Sequence, residues 1–308
     1  MRTISSLIFI LILTFTTTVF ADTGKKIAIT VDDLPGRDNA TVVLHNIQSA
    51  LKASNAPATG YVIGSLVGET KNGSQLLKSW SENGFVLGNH TWSHQNFSDQ
   101  RVAEWLEEVN KTEKVLKPYQ DYFGPWQRSF RFPRLNQGKT EDQEFVANRY
   151  FKQNNTLIAY VSVDTSDWAF AMYYDDALNK GKTKLAVRIA KLYMDHIVDC
   201  VHYAEEASSQ LFNRQLPQIL LLHANALNAD NMKLLLDNLK DLDYSFISLN
   251  EALADHAYRP YNYKIAFQKG ESFYDQISHL IHKPLSGPDR TSYSYFKSEW
   301  EPKLKNLE

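Results

Sequence analysis

Short apolar runs alternate with amphipathic stretches along most of this 308-residue chain, and few folds accept that rhythm. A run of four to eight apolar residues calls for burial on both faces, which a parallel sheet covered by helices supplies. Seven such runs lie at residues 25–32, 59–64, 85–90, 129–133, 157–164, 218–223 and 244–249. Between them, residues 41–54, 74–83, 99–117, 140–154, 185–211 and 230–241 read as helices, several with acidic first turns or Gly and Pro stops. The pattern predicts an α/β protein, with successive βα units around a parallel sheet or barrel.

The two ends of the chain read differently. Residues 1–21 hold one basic residue, Arg2, then an apolar run from Leu7 to Phe15, then Val19-Phe20-Ala21. This is the layout of a secretory signal peptide cleaved before Asp22, and the run is too short to span a bilayer. The expected product is exported, periplasmic or extracellular, without stable membrane insertion. No repeat or Gly/Ser linker divides the rest of the chain, so residues 22–255 are read as one domain. Beyond about Asp255 the alternation breaks into an aromatic-rich stretch from Tyr258 to Trp300, taken as a C-terminal extension, 256–308, packed on the barrel. Cys200 is the only cysteine and falls in a helical stretch, which excludes an intramolecular disulfide and suggests a small core residue. Net charge is −2 with acids and bases interspersed, so neither a nucleic-acid surface nor a polybasic membrane patch is expected.

Ionisable residues collect where the strands should end. Asp32-Asp33 closes the first run, and two adjacent carboxylates there are costly unless a cation or hydrogen-bond donors compensate. His90 and His94 follow the third run, four residues apart, so that one helical turn would face both imidazoles toward one ion. Two His and one carboxylate leave positions open for water and substrate, as in a catalytic site, with zinc the first candidate and cobalt or another divalent ion an alternative. Arg131-Phe132-Pro133-Arg134, Asp164-Thr165-Ser166-Asp167-Trp168 and Leu220-Leu221-Leu222-His223 follow three further runs. A lone Arg beside a turn, or a lone His after a strand, is ordinarily structural. Their shared position is what gives them weight, because α/β barrels build active sites at the C-terminal ends of strands. His45, His196, His202, His256, His279 and His282 have no such placement and are read as structural or solvated.

Thr30-Val31-Asp32-Asp33, His90-Thr91-Trp92-Ser93-His94, Arg131-Phe132-Pro133, Asp164 to Trp168 and Leu220 to His223 resemble, in order and spacing, the five motifs of the polysaccharide deacetylase family, carbohydrate esterase family 4. The resemblance implies an irregular (β/α) barrel of about seven parallel strands. It implies Asp33, His90 and His94 as ligands of one divalent metal, Asp32 as catalytic base and His223 as general acid. It further implies that Arg131 positions Asp32, that Asp167 orients and tunes His223, that Trp168 lines the substrate groove and that the Arg134 N–H helps bind the oxyanion, with Asp164 in support. Two departures bear on groove shape: Leu34-Pro35 follows the Asp pair where Gly is usual, and Leu135 follows Arg134 where Gly is common. The implied activity is metal-dependent removal of acetyl groups from an N-acetylated carbohydrate of chitin or peptidoglycan type. An O-acetyl (xylan-type) esterase or a small-molecule amidase would use the same constellation. An inactive exported carbohydrate-binding protein is the reading from another class, and the presence of both Asp32 and His223 weighs against it.

Overall fold

The computed structural model of the protein describes residues 24–119, 128–258 and 271–307; the leader-like residues 1–21 lie outside it. In chain order the elements are β1 (Lys25–Leu34), α1 (Ala40–Ala53), β2 (Ala58–Val62), α2 (Leu66–Glu69), α3 (Gly73–Glu82), β3 (Val86–Asn89), α4 (Val102–Leu116), β4 (Arg128–Phe130), α5 (Glu141–Gln153), β5 (Thr156–Ile158) and β6 (Val163–Asp164). They continue with α6 (Asp167–Asn179), α7 (Thr183–Phe212), β7 (Gln218–His223), α8 (Ala226–Asp241), β8 (Tyr244–Ile247), α9 (Leu249–Leu253), α10 (Phe273–Leu280), α11 (Tyr293–Tyr295) and α12 (Glu301–Lys305).

All the strand pairings are parallel, in the order β5-β4-β3-β2-β1-β7-β6. The two edge strands are consecutive in sequence, separated only by residues 159–162. That link spans at most about 17 Å, whereas seven strands laid flat would be about 29 Å across. The sheet therefore curls into a half-barrel whose edges the link joins. Ala159 N–H bonds to Phe130 O on one side, and Ser162 N–H to Ile219 O on the other. Expected as one strand, residues 157–164 thus form two, because the chain leaves one edge of the sheet and rejoins the other. β8 adds to β1 at Lys25–Ala28. Since β7 occupies one edge of β1 throughout Ile27–Asp32, β8 and β2 must follow one another along the other edge.

Burial explains the composition of the central strands. Ile27, Ala28, Ile29 and Val31 of β1 and Ile219, Leu220 and Leu222 of β7 are all buried, covered by helices outside and barrel side chains within. Cys200 is buried in α7, as is His196, whose ring stacks on Phe170. The extension carries α10 to α12, with Phe273, Phe296, Trp300 and Leu304 buried against the barrel helices. Among the described residues no helix is long and apolar enough to cross a membrane.

Candidate metal and acid–base site

Asp32 and Asp33 lie in a β-bulge. Val31 pairs with Gly60 and Leu34 with Val62, so β1 holds one residue more than β2 over that step, and a bulge re-aims the side chains within it. Asp32 points inward and is 2% exposed. Asp33 takes a left-handed backbone, φ 69°, and turns its carboxylate toward the mouth of the barrel. There Oδ1 stands 3.6 Å from His90 Nε2 and 3.5 Å from His94 Nε2. The three donor atoms lie within 4.8 Å of one another.

This trio fits a divalent cation. Asp33 Oδ1 is buried without a hydrogen-bond partner among the described residues, a costly state for a carboxylate unless a positive charge meets it. His90 Nδ1 is 2.8 Å from the Arg131 carbonyl; the carbonyl only accepts, so Nδ1 carries the hydrogen and Nε2 presents its lone pair. Burial pushes the His90 pKa well below its ordinary value and lowers that of His94. Both rings are therefore neutral at neutral pH, as ligands must be. The helical turn expected for His90 to His94 does not form. Left-handed residues Thr91 (φ 64°) and His94 (φ 58°) fold the segment into a tight irregular turn that sets the two rings 4.8 Å apart.

Asp32 is held from behind. Arg131, one residue past β4 and 1% exposed, places Nη1 3.3 Å from both Asp32 carboxylate oxygens. Its Nε donates to Ala159 O at 2.7 Å and its Nη2 to Thr30 Oγ1 at 3.1 Å, while the guanidinium lies over the Tyr61 ring at 4.7 Å. Burial raises the Asp32 pKa to about 6, against the opposing pull of Arg131 and His223. Asp32 is thus ionised near neutrality, with a proton affinity above that of an ordinary carboxylate.

On the neighbouring strand, His223 ends β7 in register with Asp32. Its Nδ1 donates to Asp167 Oδ1 at 2.7 Å, and its backbone N–H to Oδ2 at 2.7 Å. Asp167 begins α6 behind left-handed Ser166, φ 47°, and is fully buried. Asn225 Nδ2 and Asn228 Nδ2 also donate to Oδ2, at 3.1 and 2.5 Å, and Tyr193 orients Asn228 through a 2.8 Å bond. Burial alone would raise the Asp167 pKa, but the charge and hydrogen bonds of His223, with Asn228, hold it below the usual range. Burial likewise opposes the charged His223, yet Asp167 outweighs it and lifts the imidazole to about 10. Asn225, Asn228 and Tyr193 carry no motif; the only sequence signal was Asn225 as the N-cap of α8.

Asp32, Asp33, His90, His94, Arg134, Asp164, Trp168 and His223 line one cleft of about 1190 Å³. Arg131 and Asp167 stand behind its wall. Arg134 has a left-handed backbone, φ 51°, and its guanidinium donates to His94 O and Asn96 Oδ1 at 3.1 and 3.2 Å. Asp164 accepts from the Ser166 N–H at 2.9 Å, and burial raises it to about 6. Unforeseen from the sequence is that Glu271, Asp289, Ser292, Tyr293 and Tyr295 of the extension line the same cleft.

The polysaccharide deacetylase family pattern matches residues 21–149. A peptidoglycan-N-acetylglucosamine deacetylase of Bacillus cereus is 28% identical over 143 residues, 46% of this chain and 46% of its own. The peptidoglycan-N-acetylglucosamine deacetylase PgdA of Listeria monocytogenes is 29% identical over 150 residues, 49% of this chain and 28% of its own. The chain thus spans half or less of the length of these curated relatives. Two solved structures share the fold: a carbohydrate esterase family 4 pseudoenzyme from Bacillus anthracis (TM-score 0.54, 18% identity, covering 75% of this chain and 66% of that one) and the peptidoglycan deacetylase PdaC of Bacillus subtilis (TM-score 0.51, 22% identity, covering 77% and 94%). A curled parallel half-barrel with an Asp-His-His cluster at its strand ends defines a class of metal-site (β/α) proteins. Within that class the chain is similar, over residues 21–149, to the polysaccharide deacetylase family.

Proposed function

We propose that this protein is an exported hydrolase that removes acetyl groups from an N-acetylated carbohydrate, a peptidoglycan-type or chitin-type oligomer, with a divalent metal, zinc first, bound by Asp33, His90 and His94. The fold alone does not decide for catalysis, since a pseudoenzyme shares it. The observation that carries the reading is the contrast between two proton carriers set side by side, in register on β1 and β7, in one cleft. Asp32 is a buried carboxylate with a pKa of about 6, and His223 an imidazole raised to about 10.

That contrast sorts their roles, because groups whose environments push their pKa values apart divide into base and acid. The cation's contribution, when bound, is Lewis-acid polarisation of the carbonyl and a lowered pKa for water. Asp32, anchored by Arg131, takes the proton of the water that attacks the amide carbonyl. The backbone N–H of Arg134 donates to the developing oxyanion. His223, protonated and held by Asp167, gives its proton to the leaving nitrogen, without which an amine leaves poorly. Trp168 borders the substrate, and Asp164 supports the turn that carries Asp167.

Acetate release should be measured on acetylated chitin oligomers, peptidoglycan fragments and acetylated xylan, with zinc or cobalt added and after chelation. Release from the amide substrates that chelation abolishes and metal restores is the expected result. Release from xylan alone would transfer the reading to ester hydrolysis, and none from any would reject it.

A further inference from the structure

We infer that Tyr293, carried by the C-terminal extension, is a specificity-determining residue that joins Trp168 in a two-ring platform for the pyranose next to the one that loses its acetyl group. Trp168 and Tyr293 are large aromatic residues 41% and 45% exposed, and their rings lie 4.8 Å apart at 39°, a tilted pair whose open faces form an aromatic corner on the wall of the cleft. Exposed aromatic surface concentrated in a cleft marks a binding surface more than a packing remainder. Its occupant should be a ring with an apolar C–H face and a polar rim, which describes a pyranose and suits the amphipathic Trp and Tyr.

The platform is fixed in place rather than draped over the site. Tyr293 stacks on Phe296 at 5.7 Å and 11°, and Phe296, 1% exposed, packs edge-on against Phe170 of α6 at 5.0 Å. That same helix begins with Asp167, which holds His223, and Trp168 is the next residue. The sugar-facing rings and the group that protonates the leaving nitrogen are therefore rigidly linked through α6. A sugar seated on the rings would set the distance from its neighbour's acetamide to His223. Lys297 Nζ, 5.8 Å from the centre of the Tyr293 ring, adds a weak cation–π contact that further holds the ring.

This inference rests on the deacetylase reading for its substrate class but is tested apart from it. A glucosamine tetramer, which has no acetyl group to lose, is titrated into the full chain in its metal-loaded form and into the Tyr293→Ala, Tyr293→Phe and Trp168→Ala variants. Removing either ring should weaken binding about five- to tenfold, and Tyr293→Phe should stay within twofold of the parent. Melting temperatures should be nearly unchanged, because both residues are exposed. Unchanged affinity in Tyr293→Ala overturns the assignment. So does an equal loss in Tyr293→Phe, which would make the contact a hydroxyl bond. So does a loss matched by a large fall in melting temperature in Tyr293→Ala. Acetate release by the parent is scored separately: release with no dependence of binding on Tyr293 rejects the platform alone, and dependence on Tyr293 without release rejects the deacetylase reading alone.

Discussion

Asp32 and Asp33 are chemically identical neighbours that the bulge separates into different environments, one sealed behind Arg131 and one turned to two imidazoles. Asp33→Asn should weaken zinc affinity at least about tenfold, whereas Asp32→Asn should keep the metal and stop turnover. Metal content by atomic absorption beside acetate release checks this, and equal metal loss in both would contradict the division. His223 gives a pH signature. Its folded pKa of about 10 exceeds the ordinary 6.5, so the stability from its pair with Asp167 is complete below pH 6.5 and is lost as pH rises through about 10. Proton donation follows the same limb, so turnover should persist through neutrality and fall toward pH 10. Asp167→Asn removes the charge that opposes burial, so the limb should drop below 7 and turnover at pH 8 should fall at least about tenfold. A pH–rate profile with its alkaline limb unmoved would show that His223 is not the donor. The motif residues were legible because each is an ionisable group just beyond an apolar run. Asn225, Asn228 and Tyr193 were not, because a neutral side chain on a helix leaves no comparable mark.

Elements were legible where their apolar period was clean. β7 falls on the expected residues 218–223, and α1, α3, α5 and α7 depart from expectation by one or two residues at their ends. α6 was missed because its buried face is built of Ala169, Phe170, Ala171, Tyr174 and Ala177 while Trp168 and Met172 sit exposed. Apolar residues on both faces hide the helical period. The bulge in β1 was equally invisible, since it depends on what β2 places opposite. There Gly60 leaves no room: a methyl group on it would collide with Leu34 and with the Trp80 ring. Gly60→Ala should therefore push Leu34 outward and disturb the bulge that aims Asp33. The expected cost is about 1–3 kcal/mol, read as a lower melting temperature, together with weaker zinc binding. A variant that melts like the parent and binds zinc normally would mean that the bulge is set by something other than this contact.

At the scale of the whole molecule, the half-barrel leaves a gap that residues 159–162 bridge and the C-terminal extension seals. Phe273 N–H donates to Val161 O at 2.6 Å, and its ring meets Tyr160 at 5.3 Å and Tyr258 at 4.5 Å. Tyr274 Oη and Ser162 Oγ both donate to Gln218 Oε1, at 3.0 and 2.7 Å, tying the extension to β7. The sequence marks α10 by Ser272, whose hydroxyl accepts from the Asp275 N–H in its first turn. Where that helix docks has no local signature, because it depends on contacts more than a hundred residues away. The bridge matters to chemistry as well as to closure: Ala159, two residues before Val161, accepts the Arg131 Nε–H that steadies the clamp on Asp32. Phe273 is fully buried, so Phe273→Ala should cost about 3–5 kcal/mol, which for a chain this size lowers the melting temperature by about 5–8 °C. Because the cavity opens beneath the bridge, the variant should lose turnover even well below its melting point, while zinc affinity, set on the opposite arc of the sheet at β1 and β3, stays near that of the parent. Calorimetry, zinc titration and acetate release on the same preparation separate these effects. A variant that melts early but turns over normally at low temperature would show that the seal stabilises the barrel without holding Arg131 in place.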